Sequence, residues 1–448
     1  MSQQQLKMNL EVREHPRKGR CLFTMQLFRA GEVVFEEEPL LLVVAPENCL
    51  STCAFCIRSL SAGKSNITCL HCNQACFCSP SCAQQAASTS WSHGPDICRA
   101  YQVASRQAMP CEDLAVYRFL VHALKLREIQ GTDPDGRYQR LCSLVGAPSA
   151  ADAATVQRLI PLLEHALGGL QQVPGLTPEE LAALVRKEQL NSYGIMADPW
   201  SDGERRIKGS GLYQKCALIN HECNPNTARC DVFDGTSVRM TLRAMHDLPP
   251  GSEVTISYCP LSWSYEERQQ QCRSVYGFIC NCPRCQAECL RLRSRRTVDD
   301  SSEWETESSS DAMEEDDGGA EAQTQEGAST SNKVKADEDN DDEDEPNSYL
   351  IDLPPNTEEG PLDPTYLQIY LMKYACSRPQ CYGTLVPLPS SSLPSQLRSP
   401  NVPTLPASAL PEGAMNEPSQ LFECNVCCFQ RTEEQFLVEL EQGSGHNH

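Results

Sequence analysis

Three short stretches of this chain hold side chains that could perform chemistry together. Residues 220–226 contain an Asn-His pair and Cys223, a second stretch ends at Tyr258, and residues 280–285 contain three cysteines. The four thiols suit one tetrahedral zinc ion. The amide, imidazole and phenol groups could align reacting groups. Together the three stretches predict a group-transfer site supported by a metal ion.

Most of the charge lies in one segment. The chain has 448 residues, which suits two or three domains of about 150 residues each. Its formal net charge is −22, but residues 299–345 hold 20 acidic residues and two lysines, a net of −18. The remainder carries about −4, and we expect no direct binding of nucleic acid.

The 26 cysteines indicate metal binding. The sequence opens with a polar segment rather than a secretory signal, and no run of about 18 apolar residues predicts a membrane span. Disulfides are rare in a reduced compartment. We therefore expect the clustered cysteines to be metal ligands.

Residue periodicity divides the chain into strand-like, helical and low-complexity segments. In chain order the sequence predicts strands over 9–45, a cysteine-rich segment over 49–98, helices over 111–190, strands over 211–258, disorder over 298–346, a helix over 365–375, a proline-rich loop over 386–419 and an amphipathic stretch over 433–441. Thr177 with Glu180 predicts a helix start.

The cysteine-rich segment has little apolar core and should need metal to fold. Eight ligands at short spacing suit two zinc ions, one with four thiolates and one with three thiolates and an imidazole. The ligands are Cys53, Cys56, Cys69, Cys72, Cys78, Cys82, His93 and Cys98. Their spacing alone leaves the pairing open.

These motifs resemble those of known families. The cysteine order, with the pair Phe77-Cys78, resembles a MYND zinc finger, and the motifs at 220–226, 251–258 and 280–285 resemble a SET domain with its post-SET tail. The layout resembles the SMYD family of protein-lysine methyltransferases. That resemblance implies an α+β fold in which a β-rich SET domain is split by a MYND finger and a helical insert.

The resemblance also implies an order of domains along the chain. The expected parts are an N-terminal SET part (1–48), the MYND finger (49–100), the helical insert (101–190), the core SET segment (191–265), the post-SET zinc site (266–292), an acidic disordered linker (293–350) and a C-terminal segment (351–448).

Site residues follow from the same resemblance. S-adenosylmethionine would be contacted by Lys18, Arg20, Asn191, Asn220, His221, Tyr258, Tyr276 and Phe278, with Tyr258 as the central catalytic residue. The resemblance pairs Cys53, Cys56, Cys78 and Cys82 on one zinc, and Cys69, Cys72, His93 and Cys98 on another. Cys223 with Cys280, Cys282 and Cys285 would hold a third.

The C-terminal segment offers a fourth set of thiols. Cys376, Cys381, Cys424 and Cys427 have the spacing of two zinc knuckles. Three zinc ions are therefore expected, with a fourth as a further hypothesis. Free thiols are the alternative for this last set.

Two functions are compatible with these features. The first is S-adenosylmethionine-dependent methylation of lysine in a histone or another protein, in the nucleus or the cytoplasm. The second is a scaffold or transcriptional co-regulator that binds proline-rich peptides through the MYND finger and has a vestigial SET site. Cys21, which stands where many SMYD relatives have Gly, favours the second, whereas Asn220, His221 and Tyr258 favour the first.

Overall fold

The computed structural model divides into two compact units. The first comprises Met1–Cys280 and Thr365–His448, and the second comprises Asn281–Pro364. The structure describes residues 9–60, 66–168, 176–196, 207–233, 238–302, 360–379, 381–389 and 420–444.

Short strands pair into small sheets, and nearly all of the pairing is antiparallel. The strands are β1 Leu10–His15, β2 Gly19–Thr24, β3 Val33–Glu37, β4 Leu41–Val44, β5 Ile67–Thr68, β6 Cys76–Phe77, β7 Ser192–Met196, β8 Ile207–Leu212, β9 Asn220–His221, β10 Thr227–Phe233, β11 Val238–Ala244, β12 Thr255–Ile256, β13 Leu385–Pro387, β14 Leu421–Cys424 and β15 Gln430–Thr432. In the described residues the sheets have the orders β1-β2, β10-β11-β3, β4-β8-β7, β9-β12, β5-β6 and β13-β14-β15.

The helices fall mainly between the two halves of the strand-rich part. They are α1 Pro80–Ser88, α2 Pro95–Ala104, α3 Cys111–Glu128, α4 Arg137–Cys142, α5 Ala150–Leu167, α6 Pro178–Asn191, α7 Tyr265–Ser274, α8 Pro283–Ser302, α9 Pro364–Tyr374 and α10 Glu433–Ser444. No helix in the described part of the chain combines the length and apolar character needed to cross a membrane.

Local sequence explains where several helices begin. Thr177 and Glu180 form a reciprocal capping box at the start of α6, which confirms that prediction. Ser264 and Glu267 do the same for α7. Each box satisfies backbone N–H groups that the first helical turn would otherwise leave unpaired.

The two largest apolar clusters among the described residues support these elements in the first unit. The larger core joins the cysteine-rich segment to α2–α6, with Tyr117 and Leu120 fully buried in α3. The smaller core lies under the strands and contains Phe35, Tyr213 and Leu242. The helical insert is therefore packed as part of a core that it shares with the predicted zinc finger.

One pairing brings the sequence motifs together. Strand β9 runs parallel to β12, which places residues 220–221 beside the segment that leads to Tyr258. The side-chain amide of Asn226 donates to the Glu253 carbonyl oxygen at 2.7 Å and accepts from the Thr255 N–H at 2.9 Å. On the other side, the Val254 N–H donates to the Leu22 carbonyl oxygen of β2 at 2.7 Å.

The second unit contains α8, a helix that the sequence analysis does not predict. The prediction of a disordered linker from residue 293 is wrong for residues 293–302, because these residues are helical. Residues 290–296 are mostly Arg and Leu, which have high helix propensity. The rest of the acidic segment up to residue 359, and residues 390–419 of the proline-rich loop, lie outside the described residues.

His122, in α3, is a buried group whose charge state depends on folding. Its Nδ1 lies 2.8 Å from the Trp91 carbonyl oxygen and its Nε2 lies 2.8 Å from the Tyr101 hydroxyl. Burial lowers the pKa of His122 from 6.5 to about 4, although the hydrogen bond to Trp91 opposes the shift. The imidazole is therefore neutral in the folded protein near pH 7.

This lowered pKa makes folding stability depend on pH. Between pH 6.5 and 4 the unfolded chain binds a proton at His122 that the folded chain does not, so stability falls as the pH falls. His122→Gln keeps a donor and an acceptor but does not titrate. We expect its melting temperature to fall less than that of the wild type between pH 7 and pH 5. Equal falls in the two proteins would contradict the assignment.

Candidate active site

The side-chain amide of Asn220 links three segments of the site. Its Nδ2 donates to the Cys21 Sγ at 3.0 Å, to the Arg20 carbonyl oxygen at 3.4 Å and to the Glu253 Oε1 at 3.0 Å. Asn220 therefore ties strand β9 to the turn that follows Lys18 and to the segment that precedes Tyr258.

Glu253 balances the charge of that turn. The Lys18 Nζ donates to the Glu253 Oε2 at 2.8 Å. Although burial opposes both shifts, the carboxylate raises the pKa of Lys18, and Lys18 with the Asn220 amide lowers the pKa of Glu253. Both groups are therefore charged near pH 7, and they hold the turn against the Asn220 loop.

Cys21 adopts a conformation that any residue can take. It lies in β2 and is fully buried, and it is not among the described non-glycine residues with positive φ, which are Ile57, Asn73 and Cys428. Burial, followed by the Glu253 charge, raises the pKa of Cys21 to about 11. Cys21 is therefore a neutral thiol that accepts a hydrogen bond from Asn220.

His221 joins the loop to the segment that carries Tyr258. The Tyr258 backbone N–H donates to the His221 Nδ1 at 2.9 Å, and the His221 Nε2 lies 3.1 Å from the Cys223 Sγ. The imidazole ring also packs against Tyr258 and Phe278, with centroid distances of 5.2 and 5.9 Å. The Asn-His pair and Tyr258 thus form one connected cluster.

The phenol of Tyr258 lies inside this aromatic cluster. Its hydroxyl donates to the Ile219 carbonyl oxygen at 2.6 Å, and its ring lies 4.8 Å from that of Tyr276. Burial raises the pKa of Tyr258 well above its ordinary value. The hydroxyl therefore stays protonated near pH 7 and, with the neighbouring carbonyl, can orient a bound amine.

Two predicted site residues make their described contacts with the helical insert. The Asn191 Nδ2 donates to the carbonyl oxygens of Val145 and Lys187, each at 2.7 Å. The Arg20 guanidinium donates to the Ser143 carbonyl oxygen at 3.4 Å. Arg20 thus links the insert to strand β2, whereas Asn191 joins the end of α6 to the segment that contains Val145.

Comparison with known proteins identifies this arrangement. The SET domain pattern matches residues 19–259, more than half of the chain. The chain belongs to the SET-domain family. Histone-lysine N-methyltransferase ASHR2 of Arabidopsis thaliana is 34% identical to it over 301 residues, which are 62% of this chain and 72% of that protein. The predicted SET domain and the α+β fold class are therefore confirmed.

Two more distant similarities accompany this match. Histone-lysine N-methyltransferase SMYD3 of Homo sapiens is 26% identical over 274 residues, which are 61% of this chain and 60% of that protein. This similarity supports the SMYD resemblance, and the chain spans about three fifths of the length of SMYD3. The solved structure of the SET domain of LSMT bound to lysine and AdoHcy has a TM-score of 0.34 and 11% identity, covering 62% of this chain and 55% of that chain.

The structure gathers the two ligand sets predicted over residues 53–98. The ligand atoms of Cys53, Cys56, Cys78 and Cys82 all lie within 4.8 Å of one another, as do those of Cys69, Cys72, His93 and Cys98. Zn–S bonds of about 2.3 Å at tetrahedral angles place sulfur atoms about 3.8 Å apart. The Cys56–Cys78 and Cys69–Cys98 distances, 3.7 and 3.6 Å, fit that geometry.

The imidazole in the second set has the charge state that a ligand needs. Burial, followed by the Arg118 charge, lowers the pKa of His93 to about 4. A neutral imidazole can donate its lone pair to a metal. The donor chemistry of both sets therefore suits zinc.

The third predicted set draws on both units. In the first unit the Cys223 and Cys280 Sγ atoms lie 3.8 Å apart. In the second unit the Cys285 N–H donates to the Cys282 Sγ at 3.5 Å. A shared zinc ion at these four thiols stays a prediction.

Two buried residues of α7 hold the first-unit thiols and were missed in the sequence. The Arg268 Nε donates to the Cys223 Sγ at 3.2 Å. The Gln269 side chain donates to the Cys280 carbonyl oxygen at 2.6 Å and accepts from the Cys280 N–H at 3.1 Å. Neither belongs to a recognisable motif, whereas Glu253, also missed as a site residue, lies within the Gly251-x-Glu253 motif.

Glu253→Gln tests the charge balance at the Lys18 turn. The amide keeps one acceptor but turns an NH₂ group toward either the Lys18 ammonium or the Asn220 amide. We expect a loss of about 1.5–3 kcal/mol in unfolding free energy, the range for a hydrogen bond to a charged group. Faster amide hydrogen exchange over residues 16–22 should accompany it.

The matched control is Glu14→Gln, which removes the same charge from an exposed position of β1. It should leave both the unfolding free energy and the exchange rates unchanged. Equal effects of the two substitutions would show that net charge, rather than the contacts of Glu253, stabilises the turn.

Proposed function

We propose that the chain is an S-adenosylmethionine-dependent protein-lysine N-methyltransferase that acts on lysine in a histone or another protein. The observation that carries the proposal is the Tyr258 phenol, protonated and hydrogen-bonded to the Ile219 carbonyl oxygen inside an aromatic cluster. The cluster is joined to the Asn220-His221 pair. Relatives named as lysine methyltransferases support the same activity.

The residues around this cluster suit the chemical groups of S-adenosylmethionine. Lys18 and Arg20 offer cations for its carboxylate, Asn220 and His221 offer polar groups from β9, and Tyr276 and Phe278 offer aromatic surface for adenine. Asn191 would support this side from the end of α6. When bound, the cofactor supplies a methyl group on a positively charged sulfonium.

The protein's own part in the reaction is positioning and desolvation. Methyl transfer to lysine requires a neutral amine aligned with the methyl group and the sulfur. A buried aromatic channel disfavours the ammonium form and so lowers the pKa of the substrate lysine. The Tyr258 hydroxyl and the Ile219 carbonyl then orient the amine lone pair, and the released proton leaves to solvent.

Tyr258→Phe removes the orienting hydroxyl and keeps the ring. We expect transfer of labelled methyl groups from S-adenosylmethionine to histones to fall about a hundredfold or more, since loss of alignment is costly in rate. The melting temperature and zinc content should stay near those of the wild type.

Tyr213→Phe is the matched control, because the Tyr213 hydroxyl is fully buried and also donates to a backbone carbonyl, that of Val238, at 2.8 Å. We expect Tyr213→Phe to lower the melting temperature without a selective loss of methyl transfer. Undiminished transfer by Tyr258→Phe would refute the assigned role, and absence of transfer by the wild type to any protein substrate would favour a scaffold.

We further propose that residues 49–100 form a MYND finger with two zinc ions and that it binds proline-rich peptides. The two ligand sets interleave along the chain, as in that module. Leu50 and Leu70 are 64% and 87% exposed and offer apolar surface to a peptide. The zinc ions would stabilise the fold of this module. The same proposal includes the order of domains predicted from the sequence and a nuclear or cytoplasmic location.

Leu70→Asp tests the peptide-binding surface. A fluorescent peptide with two Pro-x-x-Pro repeats should bind the wild type saturably, with binding at least fivefold weaker in the variant, because a carboxylate opposes apolar contact. Fluorescence anisotropy measures both. Val145→Asp, at an exposed position of the helical insert, is the control and should bind normally. Absence of saturable peptide binding by the wild type would contradict the proposal.

A further inference from the structure

The C-terminal part of the first unit contains a compact group of four thiols. The Sγ atoms of Cys376, Cys381, Cys424 and Cys427 all lie within 4.8 Å of one another. The Cys376–Cys427 and Cys381–Cys424 pairs are each 3.7 Å apart. A disulfide requires about 2.05 Å, whereas thiolates around a tetrahedral zinc ion lie about 3.8 Å apart.

The backbone around Cys424 has the form of a metal-binding knuckle. The N–H groups of Val426 and Cys427 both donate to the Cys424 Sγ at 3.4 Å. The Cys428 N–H donates to the Cys424 carbonyl oxygen at 3.0 Å, with Cys428 at a φ of 55°. Such N–H···S bonds stabilise a thiolate over a thiol.

The facing knuckle approaches so closely that only glycine fits beside it. A Cβ on Gly383 would lie 2.3 Å from the Cys424 Sγ and 2.7 Å from the Val426 Cβ. Strand β13 starts two residues later and pairs with β14, in the register Leu385 opposite Cys424. Both knuckles are thus held by one small sheet.

This small sheet, with α9, packs on the SET domain behind the loop that contains Asn220 and His221. The Tyr370 hydroxyl donates to the Pro225 carbonyl oxygen at 2.7 Å, and the Tyr374 hydroxyl donates to the Met245 carbonyl oxygen at 3.1 Å. Both tyrosines are buried, in a cluster with Ala228.

The knuckle around Cys424 also contacts the SET domain directly. The Asn425 Nδ2 donates to the Arg229 carbonyl oxygen of β10 at 2.8 Å, while its Oδ1 accepts from the Thr384 N–H at 2.8 Å. Asn425 lies between Cys424 and Cys427, so the segment that would bind metal also contacts the SET strand.

We propose that Cys376, Cys381, Cys424 and Cys427 bind a structural zinc ion, and that the C-terminal module formed around it braces the Pro225 turn and strand β10 of the SET domain. Four thiolates without an open position suit zinc as a structural ion. The sheet of the module has only three strands of three or four residues, so a bound metal would contribute to its folding. Loss of this ion would free the turn that follows Asn220 and His221.

Site-resolved alkylation of the full-length wild type tests the metal. In zinc-loaded protein, N-ethylmaleimide should label Cys428, which is exposed, and should spare the four thiols until a chelator is added. Native mass spectrometry should show one zinc fewer in Cys376→Ser and Cys424→Ser than in the wild type and in the neighbouring control Cys428→Ser. Labelling without chelator as fast as at Cys428, an unchanged zinc count, or bound iron would overturn the site.

Amide hydrogen exchange tests the bracing. In Cys424→Ser, exchange over residues 223–232 should become at least tenfold faster than in Cys428→Ser, while α3, in the other core, keeps its wild-type rate. Unchanged exchange over 223–232 with the zinc lost would overturn the coupling. Cys381→His keeps a zinc ligand at its position, so this variant should retain both the zinc ion and the wild-type exchange rates over residues 223–232. None of these measurements uses methyl transfer, so they fail or succeed independently of the proposed activity.

Discussion

The side-chain amide of Asn226 makes the contact on which the site depends. It donates to the Glu253 carbonyl and accepts from the Thr255 N–H, as a neighbouring peptide group in a sheet would. Two-residue strands such as β9 and β12 have little stability of their own. The Asn226 side chain takes the place of a backbone peptide group in this pairing. It thereby holds the Asn220-His221 loop parallel to the segment that ends at Tyr258, and the aromatic cluster can then form.

Around that contact, charged and polar side chains hold the loop on two sides. On one side Glu253 neutralises Lys18 and accepts from Asn220. On the other, Arg268 donates to the Cys223 thiol, two residues beyond His221. The loop is therefore held by polar contacts at both ends.

Spacing in the sequence was a good guide wherever the chemistry is local. Pairs of cysteines two to five residues apart predicted ligand sets that the structure gathers, and the Thr177–Glu180 pair predicted the start of α6. Interleaving of the insert's ligands came only from the family resemblance, because pairing is a tertiary property. Glu253 and Lys18 are 235 residues apart, and no local pattern predicts such a partner. The composition did not predict α8, because the many acidic residues further along the segment outweighed the Arg and Leu residues that favour a helix at its start.

The close approach of Gly31 to Leu388 has a consequence for folding. A Cβ on Gly31 would lie 2.8 Å from the Leu388 backbone carbon, so the turn before β3 packs against a segment more than 350 residues further along the chain. Contacts this distant in sequence form late and slow folding. Until such contacts form, the chain exposes the apolar surface around Ala228 and Met245, which the folded protein buries in one cluster with Leu385 and Phe422.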